Sequence, residues 1–306
     1  VPTPRQDTTH DIEGITMTPP SKRRALKDKL AGPDIVVAPG VFDMISVRLA
    51  DTMGFACLYM TGFGTVASYL GEPDAGLATY TDMLNRVSAF CGASRTPLIC
   101  DADTGYGGLL NVAHTVRGYE RAGAAGIQLE DQEFPKKCGH TPGRRVIAAE
   151  EMVKKIKVAK EVREDADFLI VARTDARTSL GLDEALRRAD AYANAGADVL
   201  FVESPETPEE LAAIGKRFDL PLLVNVVEGG RTPQLSPAEL QRLGFAIAIY
   251  PASGFLAVAK ALEKVYGEIK AMKGTLGADA DLMSFKAMCE LMGFQAVWDF
   301  DKAHAD

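Results

Sequence analysis

Long apolar runs are missing from this 306-residue chain: none approaches the roughly 18 residues that a membrane-spanning helix requires. A basic surplus is missing too. The 34 Lys and Arg face 42 Asp and Glu, a formal net charge of −8, which argues against nucleic acid or an anionic membrane as a partner. The opening, VPTPRQDTTHDIEG, has no basic segment followed by an apolar one, so no secretory signal is expected and the expected location is the cytoplasm. Paired cysteines are absent as well. The five present, Cys57, Cys91, Cys100, Cys138 and Cys289, are odd in number and never spaced as CxxC, which predicts unbridged thiols in a reducing compartment and gives no support to a zinc site.

What is present is a regular alternation. Residues 1–20 are rich in Pro, Thr and Asp without periodicity and read as a flexible N-terminal arm before a first helix, SKRRALKDKL. From Asp34 onward, IVVAP, ACLYM, PLIC, GIQLE, FLIVA, DVLFV, PLLVN and AIAIY are candidate strands. Between them lie amphipathic stretches such as VFDMISVRLADTMG, MVKKIKVAKEVRED and LDEALRRADAYANAG. Continuous apolar strands alternating with helices predict a parallel sheet with crossover helices, and about eight repeats favour a closed (β/α)8 TIM barrel. An open doubly wound sheet would call for GxGxxG after the first strand, where the chain has APGVFD. Residues 21–306 are therefore expected to form a single barrel domain with a C-terminal helical extension. The extension comprises ASGFLAVAKALEKVYGEIKAMKG and SFKAMCELMGFQAVWDFDK, which holds the only tryptophan, Trp298. Those helices could cover the barrel or reach a neighbouring subunit.

A barrel carries its site at the carboxyl ends of the strands, so the residues that close each run are diagnostic. They are Tyr59, Thr61 and Gly62; Asp101 and Asp103; Glu130 and Asp131; Arg173 and Asp175; Glu203; and Asn225. Acids converging on one rim repel by on the order of a few kcal/mol per close pair at an effective dielectric of about 20. A hard divalent cation, Mg²⁺ or Mn²⁺, relieves that repulsion best. A single such Asp is more often a helix cap or a partner of Arg173; the whole set favours the metal. In DADTGYGG the clustered glycines suit a tight turn or a close approach to an anion, and two aspartates spaced by one residue point to the same side. EDQEFPKKCGHTPGRR has no apolar periodicity and reads as a mobile loop. Within it Cys138, between Lys137 and His140, sits where a thiolate is favoured and a proton can be passed. Zinc on Cys138 and His140 would lack further ligands. Cys57 and Cys100, inside strands, read as small buried hydrophobes.

The ordered pieces MTGFGTVAS, GEPDAGLAT, DADTGYGG, EDQ with KKCGH, ARTDAR, FVE, NVVEGG and AIYP resemble the isocitrate lyase and phosphoenolpyruvate mutase superfamily. The likeness runs from about Asp34 to the last helices. Its form is similar to the short branch with 2-methylisocitrate lyase, 2,3-dimethylmalate and other 2-alkylmalate lyases, and carboxyphosphonoenolpyruvate mutase. The resemblance implies that Asp101 binds Mg²⁺ directly while Asp74, Asp103 and Glu130 hold its waters. It implies that Tyr59, Thr61, Gly62 and Phe63 grip a 2-oxo acid, and that Arg173 clamps a carboxylate beside Glu203 and Asn225. KKCGH, with Lys137, Gly139 and His140, would be a gating loop that delivers Cys138 as general acid. The implied reaction is Mg²⁺-dependent cleavage of a carbon–carbon bond in a 2-hydroxy di- or tricarboxylate, of the 2-methylisocitrate or 2-alkylmalate type, giving a 2-oxo acid such as pyruvate. The implied assembly is a homotetramer with the last helix exchanged between neighbours. Two alternatives stand on the same scaffold, a phosphonate mutase and an oxaloacetate hydrolase. Pro251 after the eighth strand weighs against the latter, where a serine would be sought. A catalytically silent barrel would predict losses among the acids or in the loop, and none is found.

Overall fold

The structure, a computed structural model, describes residues 21–139, 141, 143–276 and 281–305. The expected arm at residues 1–20 and the candidate His140 lie outside the described residues. Every predicted run contains a strand: β1 (Val36–Val41), β2 (Leu58–Met60), β3 (Leu98–Asp101), β4 (Gly126–Glu130), β5 (Leu169–Thr174), β6 (Val199–Val202), β7 (Leu222–Asn225) and β8 (Ile247–Tyr250). They pair in parallel in chain order, and β8 returns to β1 with Val36 opposite Ile247 and Ala38 opposite Ile249. The expected TIM barrel is the observed one.

Strand side chains alternate between two faces, and here both faces are apolar, which is why the sequence runs are continuous. One set points into the barrel: Tyr59, Ile99, Val171, Phe201, Leu223 and Ile249 fill it. Leu26 and Leu30 of the first helix, Lys22–Leu30, join that inner cluster and close the amino end. The other set, including Met60, Cys100, Leu129, Ala172 and Val224, packs against the surrounding helices. Cys57 and Cys100 are fully buried, as expected, and burial pushes the Cys57 thiol up to about 12.

Departures from simple alternation fall where the rim is elaborated. Two helices, Gly62–Leu70 and Tyr80–Ala93, separate β2 from β3, and a short helix, Ala176–Leu180, precedes the crossover helix Leu182–Ala195. After β8 the helix Ser253–Met272 buries no residue, and neither do Phe285–Met292 and Phe294–Ala303. Phe285, Phe294, Trp298 and Phe300 stand exposed there. Among the described residues no helix is long and apolar enough to cross a membrane.

Candidate active site

Alternation along each strand decides which rim residues face the interior. On β4, Gly126, Gln128 and Glu130 share the inward register, while Ile127 and Leu129 face the helices. Following the same rule from the inner apolar layer, Ile99 leads to Asp101, Val171 to Arg173, Phe201 to Glu203 and Leu223 to Asn225. The inward layer is thus apolar at depth and polar at the carboxyl rim. There it lines a cavity of 320 Å³ that also takes in Thr61, Asp74, Lys136, Cys138 and Gly139.

One half of this cavity is an acid cluster. Asp101 accepts from the Asp103 backbone N–H at 3.0 Å and from Gln128 Nε2 at 3.1 Å. Gln128 in turn accepts from the Tyr59 hydroxyl at 2.5 Å, so a Tyr59–Gln128–Asp101 relay orients the carboxylate. Asp103 adopts φ 50°, within the sharp turn of DADTGYGG, a conformation that Asp tolerates better than most residues. Gly62 is required by space: a Cβ there would lie 2.6 Å from Asp101 Oδ2. Its helix starts at Thr61 without a side-chain cap, so first-turn N–H groups are left for an anion. Burial raises Asp101 and Glu130, and pushes Asp103 up to about 7, against the pull of Lys136.

Lys136 is the cation that meets these acids. Its Nζ lies 2.7 Å from Asp103 Oδ1 and also pairs with Asp74. Burial opposes its charge, yet Asp103, Asp74, Asp101 and Glu130 together outweigh burial and hold it protonated.

The other half is organised by Arg173. Its guanidinium bonds Asp175 through Nε and Nη2, both at 2.9 Å, and reaches Glu203 at 3.2 Å and Glu130 at 3.4 Å. Asn225 donates to Glu203 at 3.1 Å. The loop carrying Cys138 closes over this pair. A Cβ on Gly139 would meet Arg173 Nη2 at 2.3 Å and Glu203 Oε2 at 2.8 Å, so only glycine lets the backbone settle there. Ser204 Oγ donates to Gly139 O, and Cys138 N–H donates to Asp74 O at 3.2 Å. Gln132 ties the loop base by accepting from Lys137 N–H at 3.0 Å and donating to Lys137 O at 2.8 Å. The described residues of the stretch read as a mobile loop pack on the cavity, with Lys136 buried among four acids and the Gly139 backbone against Arg173 and Glu203.

The structure gathers Tyr59, Thr61, Phe63, Asp74, Asp101, Glu130, Lys137, Cys138, Gly139, Arg173, Glu203 and Asn225 around one cavity, with Asp103 and Gly62 immediately behind. Lys137 is the outer of the two lysines: its Nζ reaches Gly143 O at 3.5 Å, and the inner position belongs to Lys136. Tyr59 is buried, and burial together with Asp101 drives its hydroxyl well above the ordinary range. It therefore acts as a neutral hydroxyl. Asp131 and Asp175 have other work, in ion pairs and hydrogen bonds that hold the rim. Sequence reasoning missed Lys136 and Gln128. Gln128 had a signal, since it sits two residues before Glu130 on one strand; Lys136 had a weaker one, two residues before Cys138.

The acid cluster fits a divalent cation by charge. Among the described residues, Asp74, Asp101, Asp103 and Glu130 share only Lys136 and one arm of Arg173 as cations, and Glu130 Oε1 is buried without a hydrogen-bond partner. Among the described residues no three acid, cysteine or imidazole side chains converge as direct ligands of one ion.

Comparison with known proteins matches the chain over nearly its whole length. The family model for phosphoenolpyruvate phosphomutase matches residues 26–270. The chain is 46% identical to 2,3-dimethylmalate lyase of Eubacterium barkeri over 280 residues, covering 92% of this chain and 97% of that one. It is 43% identical to 2-methylisocitrate lyase of Aeropyrum pernix, with 92% and 89% covered. Among solved structures, oxaloacetate acetylhydrolase with 3,3-difluorooxalacetate superposes with a TM-score of 0.87 at 35% identity, covering 92% and 97%. Phosphonopyruvate hydrolase in complex with oxalate and Mg²⁺ gives 0.85 at 32%, covering 94% and 100%. The barrel, its acid cluster and these matches across nearly the whole length lead to one assignment: the chain belongs to the phosphoenolpyruvate mutase and isocitrate lyase superfamily.

Proposed function

We propose that this protein is a carbon–carbon lyase that cleaves the C2–C3 bond of a 2-hydroxy di- or tricarboxylate, releasing a 2-oxo acid such as pyruvate and a second carboxylate. The observation that carries the reading is the meeting, in one 320 Å³ cavity, of an under-neutralised acid cluster, an arginine held by three carboxylates and a loop thiol. Both curated relatives named above are lyases of this kind.

In this reading Asp101 would ligate Mg²⁺ (or Mn²⁺), and Asp74, Asp103 and Glu130 would hold its waters. A bound cation would supply Lewis-acid polarisation of the oxygen on C2 and offset the acids. The chain's own groups do the rest. The free N–H groups of Gly62 and Phe63, with Thr61, receive the 2-oxo acid carboxylate at a helix N-terminus. Arg173, fixed by Asp175, Glu130 and Glu203, is preorganised toward charge that develops as C2 becomes a carbonyl. The proton of the C2 hydroxyl passes to a carboxylate of the cavity rim as the C2 carbonyl forms; the electron pair of the breaking C2–C3 bond passes to C3 of the departing carboxylate, and Cys138 donates the thiol proton there. Lys137, Gly139 and His140 belong to the loop that excludes water while this carbanion exists.

Pro251 lines the cavity with neither a hydroxyl nor an N–H, which disfavours the hydrolase alternative. The bare apolar faces of Ser253–Met272, Phe285–Met292 and Phe294–Ala303 support assembly into a homotetramer with exchanged C-terminal helices. The testing experiment is a lactate dehydrogenase-coupled assay, with and without Mg²⁺, on 2-methylisocitrate, 2,3-dimethylmalate, 2-ethylmalate, isocitrate and oxaloacetate. Mg²⁺-dependent release of a 2-oxo acid from a hydroxy acid is the expected result. Silence on every hydroxy acid, with turnover of a phosphonate, would make the protein a mutase.

A further inference from the structure

Resting on the lyase reading, we infer that the cavity is built for a dicarboxylate carrying alkyl groups and rejects a third carboxylate, and that Phe63, Phe255 and Leu256 set this preference. The cavity is two-faced. Its charged face holds all the lysine and arginine among the described lining residues: Arg173 turns to Asp175, Glu130 and Glu203, and Lys136 to Asp74 and Asp103, while Lys137 reaches Gly143. The opposite face is apolar, formed by Phe63, Val227, Pro251, Phe255 and Leu256. Phe63 and Phe255 lie with ring centroids 5.1 Å apart, and Phe42 backs Phe255 edge-on at 6.2 Å, so this wall is stiff. Phe63 and Leu256 remain 39% and 45% exposed, surface that an alkyl substituent would cover, at roughly fourfold in kcat/KM per buried methylene.

Among the described residues this wall carries no lysine, arginine or histidine, so a carboxylate laid on it would find no side-chain cation there. At the start of the helix Ser253–Met272 the Ser253 hydroxyl donates to Glu228 at 2.5 Å. Glu228 itself lines the cavity, so a third carboxylate would meet a like charge with apolar walls around it, the arrangement that discriminates most strongly against the wrong partner.

The experiment ranks kcat/KM of the wild-type enzyme for 2,3-dimethylmalate, 2-ethylmalate and the tricarboxylate 2-methylisocitrate, with the released 2-oxo acid as readout. The alkylmalates are expected to exceed 2-methylisocitrate by at least tenfold. Leu256→Arg is expected to lower the alkylmalate values about tenfold, mainly through KM, and to raise the tricarboxylate value. Leu256→Ala, a milder change at a half-exposed position, is expected to weaken the alkylmalates alone. A wild-type preference for 2-methylisocitrate, or equal response of both substrate types to Leu256→Arg, overturns the inference and leaves the lyase intact. No 2-oxo acid from any of the three overturns the lyase reading itself.

Discussion

Glu130 and Asp131 are neighbours in the chain, both buried, at the end of the same strand, and they meet opposite fates. Asp131 faces the helices and is saturated: it accepts from Thr174 Oγ1 at 2.7 Å, Asp175 N–H at 2.8 Å, Tyr192 hydroxyl at 2.7 Å and Arg188 at 3.1 Å. Glu130 faces the cavity with one oxygen unpartnered and the other 3.4 Å from a guanidinium that three carboxylates share. A one-residue step along a strand turns the side chain through the sheet, so one acid became a rivet and the other an unmet demand. Buried polar groups are almost always paired, and an unpaired carboxylate oxygen facing a cavity rimmed with acids is the demand a bound cation or its water would meet.

The sharpest way to test this division is to remove groups from each side. Cys138→Ser acts only on the cavity side: kcat is expected to fall roughly 10²- to 10⁴-fold, the worth of a positioned proton donor, with urea-denaturation stability unchanged. A fall in stability with turnover intact would place Cys138 on the structural side. Asp131→Asn is the mirror experiment. Breaking a buried pair from one partner costs about 3–5 kcal/mol, so the denaturation midpoint should drop steeply while the protein that remains folded keeps its kcat.

Between these lies the proposed metal. Mg²⁺ at about 100 times its dissociation constant should stabilise the wild type by roughly 2.7 kcal/mol. Glu130→Gln and Asp101→Asn should lose that gain, and Glu130→Gln should leave metal-free stability unchanged or higher, since it removes a charge that burial opposes. Thermal melts with and without Mg²⁺ decide it: a variant that keeps the full Mg²⁺ shift removes its residue from the metal site.

The fold was legible because strand and helix periods differ and because both faces of every strand are apolar, which left eight continuous runs at regular spacing. The rim acids were legible as a set, yet their division was not read, although alternation along GIQLED would have separated Glu130 from Asp131. What lay out of reach was Lys136. Two adjacent lysines in a loop without periodicity offer no register, and only three-dimensional packing brings one of them against Asp74 and Asp103, far back in the chain. The docked posture of the loop depends on the same long-range pair, so it was read as mobile. The apolar wall went unnoticed for a related reason: Phe255 and Leu256 sit on a helix whose apolar spacing signals only burial, and it is the closure of β8 on β1 that brings them to Phe63.

The finest test concerns pH. Burial, with help from Asp101 and Asp74, raises Asp103 from 3.8 to about 7 despite Lys136, and Asp101 and Glu130 shift in the same direction. Between those two values the unfolded chain has released the Asp103 proton and the folded, metal-free protein still holds it. The folded state therefore binds more protons, and stability must fall as pH rises from about 4 to 7, by at most about 1.4 kcal/mol per pH unit for this group. Asp175, whose carboxyl is lowered by Arg173 and Arg144 despite burial, contributes stability that is lost only below its ordinary value, outside this window. Asp103→Asn should flatten the decline in part, and saturating Mg²⁺ should oppose it, because a cation favours the ionised acids. Metal-free stability that rises across this window would mean that the acids are ionised without help, and that Lys136 and Arg173 suffice to neutralise them.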